Sequence, residues 1–177
     1  LPGGEIALDE LPGLTADELS RFGLGGNPRL LLLEFPLYGW PFALEATVQE
    51  LGRQGVRCVL AHPERNADVQ EDPARLERLV ALGAAPQLTA AAVEGRMGKR
   101  QARCARELVD GGLARLIAGD AHSPRREGRL GAARKAVGDD ALGRWLTEDV
   151  PGALLAGREV PPRPQGARPR RRGLLGR

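Results

Sequence analysis

Arg29-Leu30-Leu31-Leu32-Leu33-Glu34-Phe35-Pro36 is the stretch that decides the fold. Its four consecutive leucines sit between Asn27-Pro28 and Pro36. A short apolar run without polar alternation predicts a strand buried on both faces. Downstream, Pro41 to Gln54 is helical in pattern and Gly55 ends it. The unit then repeats: Val56 to Ala61 is a second buried strand. Asp72-Pro73 caps a helix predicted to run to about Leu82, with Gly83 as its stop. Ala85 to Thr89 reads as a third strand, Lys99 to Asp110 as a helix stopped by Gly111-Gly112, and Leu113 to Ala118 as a fourth strand. Further helices follow to about Leu146, with a last helical turn over Val150 to Ala156. Upstream, Gly4 to Leu8 suits a short strand, and Thr15-Ala16-Asp17-Glu18 has the form of a capping box. Strand and helix alternating at this spacing predict an α/β fold, a parallel sheet with helical crossovers.

The 177 residues allow one core and are too few for two ordinary domains. The chain opens Leu1-Pro2-Gly3-Gly4 and its one methionine is Met97, so Leu1 is expected to be internal to a longer protein. A closed α/β barrel needs roughly 250 residues, which agrees with a missing N-terminal portion. No apolar run reaches the roughly 18 residues that span a membrane. Net charge is +3, but seven arginines and one glutamate lie from Arg158 onward, so residues 1–157 carry −3. The basic excess is therefore a Pro/Arg/Gly-rich tail, 161–177, expected to be disordered. The body carries no compositional sign of a nucleic-acid-binding face. Cys58 and Cys104, the only cysteines, are expected to be buried free thiols, which suits a reducing cytoplasm.

The residues with ligand chemistry stand at strand ends. Glu34 ends the leucine run, His62 follows Ala61, and Asp120-Ala121-His122 follows Leu116-Ile117-Ala118-Gly119. Both histidines of the chain occupy such positions. Parallel α/β barrels build their sites at the C-terminal ends of strands, where the βα loops gather. Each residue alone has a structural explanation: a solvated strand end, a turn histidine, a chance Asp-x-His. Their conjunction points instead to a metal centre. Carboxylates with imidazoles suit Mn, Fe or Zn, and a cluster of two or three ions can hold phosphate oxygens and activate a water.

Ala61-His62-Pro63-Glu64-Arg65-Asn66 resembles the "HPER" segment of the bacterial capsular and exopolysaccharide protein-tyrosine phosphatases, within the polymerase-and-histidinol-phosphatase (PHP) superfamily. Gly119-Asp120-Ala121-His122 is similar to their "SDAH", Leu33-Glu34-Phe35-Pro36 to "IEFP", and Gly3-Gly4-Glu5-Ile6 to "GAEI". Gln87-Leu88-Thr89, with the glycines near Met97, resembles a further block, and the likeness covers residues 3 to about 160. The resemblance implies a distorted TIM-like (PHP) barrel, here 1–160 without its N-terminal strands. It implies a trinuclear, usually Mn-dependent site, with Fe or Zn as alternatives. Glu5 would bridge two ions, Glu34 and His62 would complete one, and Asp120 and His122 would bind opposite. Arg65 would face the phosphate, with Arg125 and Arg126 competing for a second phosphate-binding place. The family's opening His-x-His motif has no counterpart here, and Gly119 stands where relatives often carry Ser.

The implied activity is hydrolysis of phosphotyrosine by metal-activated water, with a bacterial tyrosine kinase of polysaccharide synthesis as the protein partner. Neither cysteine lies in a phosphate-cradling loop, which argues against a cysteine nucleophile. Two other readings compete. One is a small-molecule phosphatase of the histidinol-phosphatase kind. The other is a truncated, non-enzymatic regulator whose basic tail binds an acidic partner. Neither nucleic acid nor membrane insertion is expected, and the oligomeric state is left open.

Overall fold

A computed structural model describes residues 2–122 and 130–165. Among the described residues five parallel strands carry the fold: β1 (Glu5–Ala7), β2 (Leu30–Glu34), β3 (Arg57–Ala61), β4 (Ala85–Thr89) and β5 (Leu116–Ala118). They lie in sequence order, each bonded to the next. Between and after them run α1 (Ala16–Arg21), α2 (Leu44–Arg53), α3 (Ala67–Glu71), α4 (Leu76–Ala81), α5 (Ala90–Val93), α6 (Lys99–Asp110), α7 (Leu130–Val137), α8 (Asp140–Arg144) and α9 (Val150–Leu155). A π-helical turn, Trp145–Asp149, joins the last two.

The leucine run behaves as its apolarity requires. Leu30, Leu31 and Leu33 are buried in β2, the second strand of the sheet. In α2 the buried residues are Leu44, Val48 and Leu51, spaced four and three apart so that one stripe meets the core. Cys104, Ala105, Leu108 and Val109 do the same in α6. Thr15 and Glu18 form a reciprocal capping box at the start of α1. Cys58 and Cys104 are both free and buried.

Several boundaries differ from those the sequence suggests. The helix expected from Pro41 begins only at Leu44, because Pro36, Pro41 and a left-handed Gly39 (φ 78°) hold 35–43 as a loop. The helix expected after Asp72 is split. Pro73–Arg75 form one 3-10 turn, and α4 follows. The fourth expected strand pairs only over Leu116–Ala118.

The sheet is not closed, so the barrel implied by resemblance is not what these residues form by themselves. β1 and β5 are its two edges among the described residues. Five strands cannot curl into the roughly eight-stranded cylinder whose interior side chains fill. What the parallel arrangement does secure is a shared direction, so every strand presents its C-terminal end to the same rim.

The chain packs beyond residue 160. Trp145 donates its indole N–H to the Pro161 carbonyl at 2.9 Å, and Arg163 donates to the Val109 carbonyl at 2.8 Å. Residues 166–177 of the expected tail lie outside the described residues. No helix among the described residues is long and apolar enough to cross a membrane.

Candidate metal centre

Strand register assembles the site. Ala7 of β1 pairs with Glu34 of β2, and Glu34 pairs with Ala61 of β3, the residue before His62. Side chains alternate along a strand, so Glu5, two residues before Ala7, shares a sheet face with Glu34. Ala118 at the end of β5 pairs with Thr89 and leads directly to Asp120 and His122.

At two of these strand ends the backbone takes a conformation that L-residues rarely adopt. His62 has φ 37° and Asp120 has φ 49°, the only positive values at non-glycine residues among those described. Each costs of order 1 kcal/mol or more, and such strain persists where the surroundings enforce it. The left-handed residue after β5 is Asp120 and not Gly119, so the flexibility of glycine is not used at 119.

Five of the sequence-predicted residues converge. Ligand atoms of Glu5, Glu34 and His62 all lie within 4.8 Å of one another, and so do those of Glu5, Asp120 and His122. Glu5 belongs to both groups. Its Oε1 lies 3.3 Å from His62 Nε2, and Glu34 Oε1 is 3.9 Å from the same nitrogen. On the other side, Asp120 Oδ1 is 3.1 Å from His122 Nε2. Arg65 borders this second group, its guanidinium 3.6 Å from Asp120 Oδ2. Arg125 and Arg126 lie outside the described residues.

The electrostatics fit a cation. Burial raises the Glu5 carboxyl above its usual range, and the Glu34 and Asp120 carboxylates raise it further against the opposing pull of His122 and Arg65. His62 is shifted the other way: burial and then Arg65 lower it, against the carboxylates Asp120 and Glu34. Neutral imidazole, the form that ligates metal, is thereby favoured. Glu5 Oε1 is buried and accepts no hydrogen bond. A buried, unpaired carboxylate oxygen among two further carboxylates is costly unless positive charge joins it. The donor set of three carboxylates and two imidazoles suits first-row divalent ions.

Two neighbours of the site were not singled out from sequence. Glu64 is fully buried, accepts the Thr89 backbone N–H at 2.9 Å, and has its carboxyl pushed up by burial to about 7. Asn66 is fully buried as well. Its carbonyl caps α3 by accepting the Val69 N–H, while its amide donates to the carbonyls of Pro36 (2.7 Å) and Gly39 (3.0 Å). An Asn standing before Ala67-Asp68-Val69 is an N-cap signal that sequence alone could have supplied. Nothing in sequence marks Glu64 as buried, since it lies between Pro63 and Arg65 in a charged-looking segment.

Comparison with known proteins gives this geometry a family. The profile describing capsular polysaccharide synthesis proteins CpsB/CapC matches residues 8–148. Tyrosine-protein phosphatase YwqE of Bacillus subtilis is 34% identical over 125 residues, covering 70% of this chain and 48% of YwqE. CapC of Staphylococcus aureus is 36% identical over 123 residues, covering 68% of this chain and 47% of CapC. The chain thus spans about half the length of these curated relatives. A solved structure from work on YwqE and Streptococcus pneumoniae CpsB, described there as metal-dependent tyrosine phosphatases, superposes with a TM-score of 0.79 at 32% identity, over 94% of this chain and 69% of that one. By the extent of these matches, the chain belongs to the CpsB/CapC family of capsular polysaccharide synthesis proteins.

Proposed function

We propose that this chain supplies most of the metal and phosphate site of a protein-tyrosine phosphatase acting in capsule or exopolysaccharide synthesis. The observation that carries the reading is the shared carboxylate: Glu5 belongs to two donor groups, one with Glu34 and His62, the other with Asp120 and His122. That arrangement suits adjacent ions joined by one bridging side chain. Glu34 and His62 would hold one ion, Asp120 and His122 another. Manganese is the expected metal, as two or three ions. Divalent ions in such a site hold phosphate oxygens and bring a water's pKa toward neutrality.

The residues of the chain do the rest. Arg65, beside Asp120, is placed to take phosphate oxygens on its planar guanidinium, a bidentate match that Lys lacks. Arg125 and Arg126 are the candidates for a second such contact. The buried free thiols suit a reducing cytoplasm, and a phosphotyrosine-bearing tyrosine kinase suits the family as substrate and partner. The open sheet would be one segment of a larger PHP barrel, in keeping with the roughly half-length overlap with the relatives.

The test measures metal content and hydrolysis of a phosphotyrosine peptide together, on the full-length protein with Mn(II) supplied. Turnover that is abolished by chelation and restored by Mn(II) is expected. A metal-loaded protein that leaves phosphotyrosine untouched but hydrolyses a small phosphate ester such as histidinol phosphate overturns the tyrosine-phosphatase reading.

A further inference from the structure

Next to the metal donors, and sharing Glu34 with them, lies an open groove of about 530 Å³ built by the 35–43 loop and the end of β1. Leu8, Phe35, Leu37, Tyr38 and Trp40 supply its apolar lining. Its volume falls in the range of about 300–1,000 Å³ typical of ligand sites.

The groove is braced although its rim is exposed. Trp40 packs against Phe35 with ring centroids 5.6 Å apart, and the Arg75 guanidinium sits 5.7 Å from the Trp40 ring. The two carbonyls held by Asn66 belong to this loop, and the Ala67 N–H donates to a third, that of Leu37, at 2.9 Å. Asn66 directly follows the His62–Arg65 turn. One buried side chain therefore fixes the loop to the segment that carries a metal donor and the phosphate arginine. On that support Tyr38 is 81% exposed and Leu37 44% exposed, and Phe42, further along the same loop, is fully exposed. Large apolar side chains held out on a braced loop cost solubility and gain nothing for the core. Grouped in this way they mark a contact surface, and Tyr and Trp offer much contact area for little lost rotamer freedom.

We propose that this groove is the specificity subsite for the polypeptide flanking the phosphotyrosine, and that it takes an apolar or aromatic side chain of the substrate. The inference rests on the phosphatase reading above and adds a recognition site to it. Continuity selects the occupant. Glu34 lines the groove and belongs to the donor cluster, so a phosphate held at the donors leaves its own peptide beside Leu37, Tyr38 and Trp40. Charge agrees: Asp9 and Glu34 are the acidic residues of the lining, which holds no basic residue, and this disfavours acidic flanking residues and suits uncharged ones.

The experiment compares two phosphotyrosine peptides, one with leucine and phenylalanine on both sides of the phosphotyrosine and one with glycine there, alongside a small aryl phosphate. It uses the Mn-loaded protein, and Tyr38→Ser and the double variant Leu37→Ser/Tyr38→Ser, whose mutated side chains are exposed enough to spare the fold. We expect kcat/KM on the apolar peptide to fall about tenfold in the double variant, mainly through KM. Activity on the aryl phosphate should stay within twofold, and the glycine peptide should be a poor substrate for every form. A second readout does not need turnover. The unphosphorylated apolar peptide should change the fluorescence of Trp40, with Trp40→Phe as control and Trp145, buried elsewhere, as the constant background. Equal losses on peptide and aryl phosphate, or no preference of the wild type for the apolar peptide, overturn the groove assignment. A wild type that hydrolyses the aryl phosphate but neither peptide overturns the protein-tyrosine-phosphatase reading, and the subsite falls with it.

Discussion

Glu5 Oε1 lies 3.3 Å from His62 Nε2, and that oxygen is buried without a hydrogen bond. A carboxylate from the first strand thus meets an imidazole from the end of the third, across β2, in a setting that raises the acid and lowers the base. Both shifts favour neutral groups in the absence of metal. A divalent ion held here would reverse the preference for Glu5 and exploit that of His62.

Glu5 should therefore be the most sensitive ligand position. Glu5→Gln keeps the shape and removes the charge that both donor groups share. Metal content measured by mass spectrometry should fall by at least two ions' worth of occupancy relative to wild type, whereas Glu34→Gln or His122→Ala should affect one. Equal losses in all three variants would show that Glu5 does not bridge.

Arg65 should separate from the ligands in a different way. Arg65→Ala is expected to leave metal content nearly unchanged while costing about 3 kcal/mol of transition-state stabilisation, roughly a hundredfold in kcat/KM. Asp120→Ala, 3.6 Å away in the wild type, should lower metal content and activity together. Full activity of Arg65→Ala on a phosphotyrosine peptide would reduce its role to an ion pair of about 0–1 kcal/mol.

Much of this site was legible in the sequence because strand ends are. Glu34, His62 and the Asp120–His122 pair follow apolar runs whose burial fixes where each strand stops. Glu5 was reached only through resemblance, since β1 is three residues long and carries no apolar run of its own. Of the loop 35–43, the sequence pattern assigns 41–43 to the start of α2, whereas the helix begins at Leu44. Proline is acceptable in the first turn of a helix, so local pattern starts the helix at Pro41; the left-handed Gly39 and the bonds from Asn66 to Pro36 and Gly39 set the non-helical path that delays it to Leu44. Closure of the sheet could not be read at all, because strand count depends on partners beyond local pattern.

Glu64 gives a pH dependence with a definite sign. Burial raises its carboxyl to about 7 in the folded protein, from 4.5, against the opposing Thr89 N–H bond. The folded state therefore holds the proton more tightly than the unfolded chain. Its contribution is fully present below about pH 4.5 and is lost as pH rises through 7, an effect of roughly 3 kcal/mol. Glu64→Gln abolishes this titration. In chelator, the stability of the variant relative to wild type should rise between pH 5 and pH 8, measured by urea denaturation. A constant difference across that range would mean that Glu64 does not titrate with folding.

The basic C-terminal segment should contribute unequally along its length. Arg163 is anchored on the Val109 carbonyl, whereas 166–177 is Arg- and Gly-rich without an apolar period. Deleting 166–177 should leave kcat unchanged, while Arg163→Ala should lower stability by about 1 kcal/mol through the lost hydrogen bond. A large fall in kcat on deletion would assign the segment to the active site.

Asn66 should be the costliest polar substitution outside the ligand set. It is fully buried, and its carboxamide satisfies three backbone groups: the Val69 N–H and the carbonyls of Pro36 and Gly39. Asn66→Ala removes the α3 cap, worth about 1 kcal/mol, and strands two carbonyls at about 1–3 kcal/mol each where water does not reach them. A loss of about 3 kcal/mol is expected, or roughly 6–12 °C in Tm for a domain of this size. Asn66→Asp is the discriminating partner. It keeps the acceptor that caps α3 but has no N–H to give Pro36 and Gly39, and it buries a charge among carbonyls. If the cap alone mattered, Asn66→Asp would be nearly as stable as wild type. If the two loop carbonyls matter, as their 2.7 and 3.0 Å bonds indicate, it should be at least as unstable as the alanine variant, with proteolysis appearing first within 36–43.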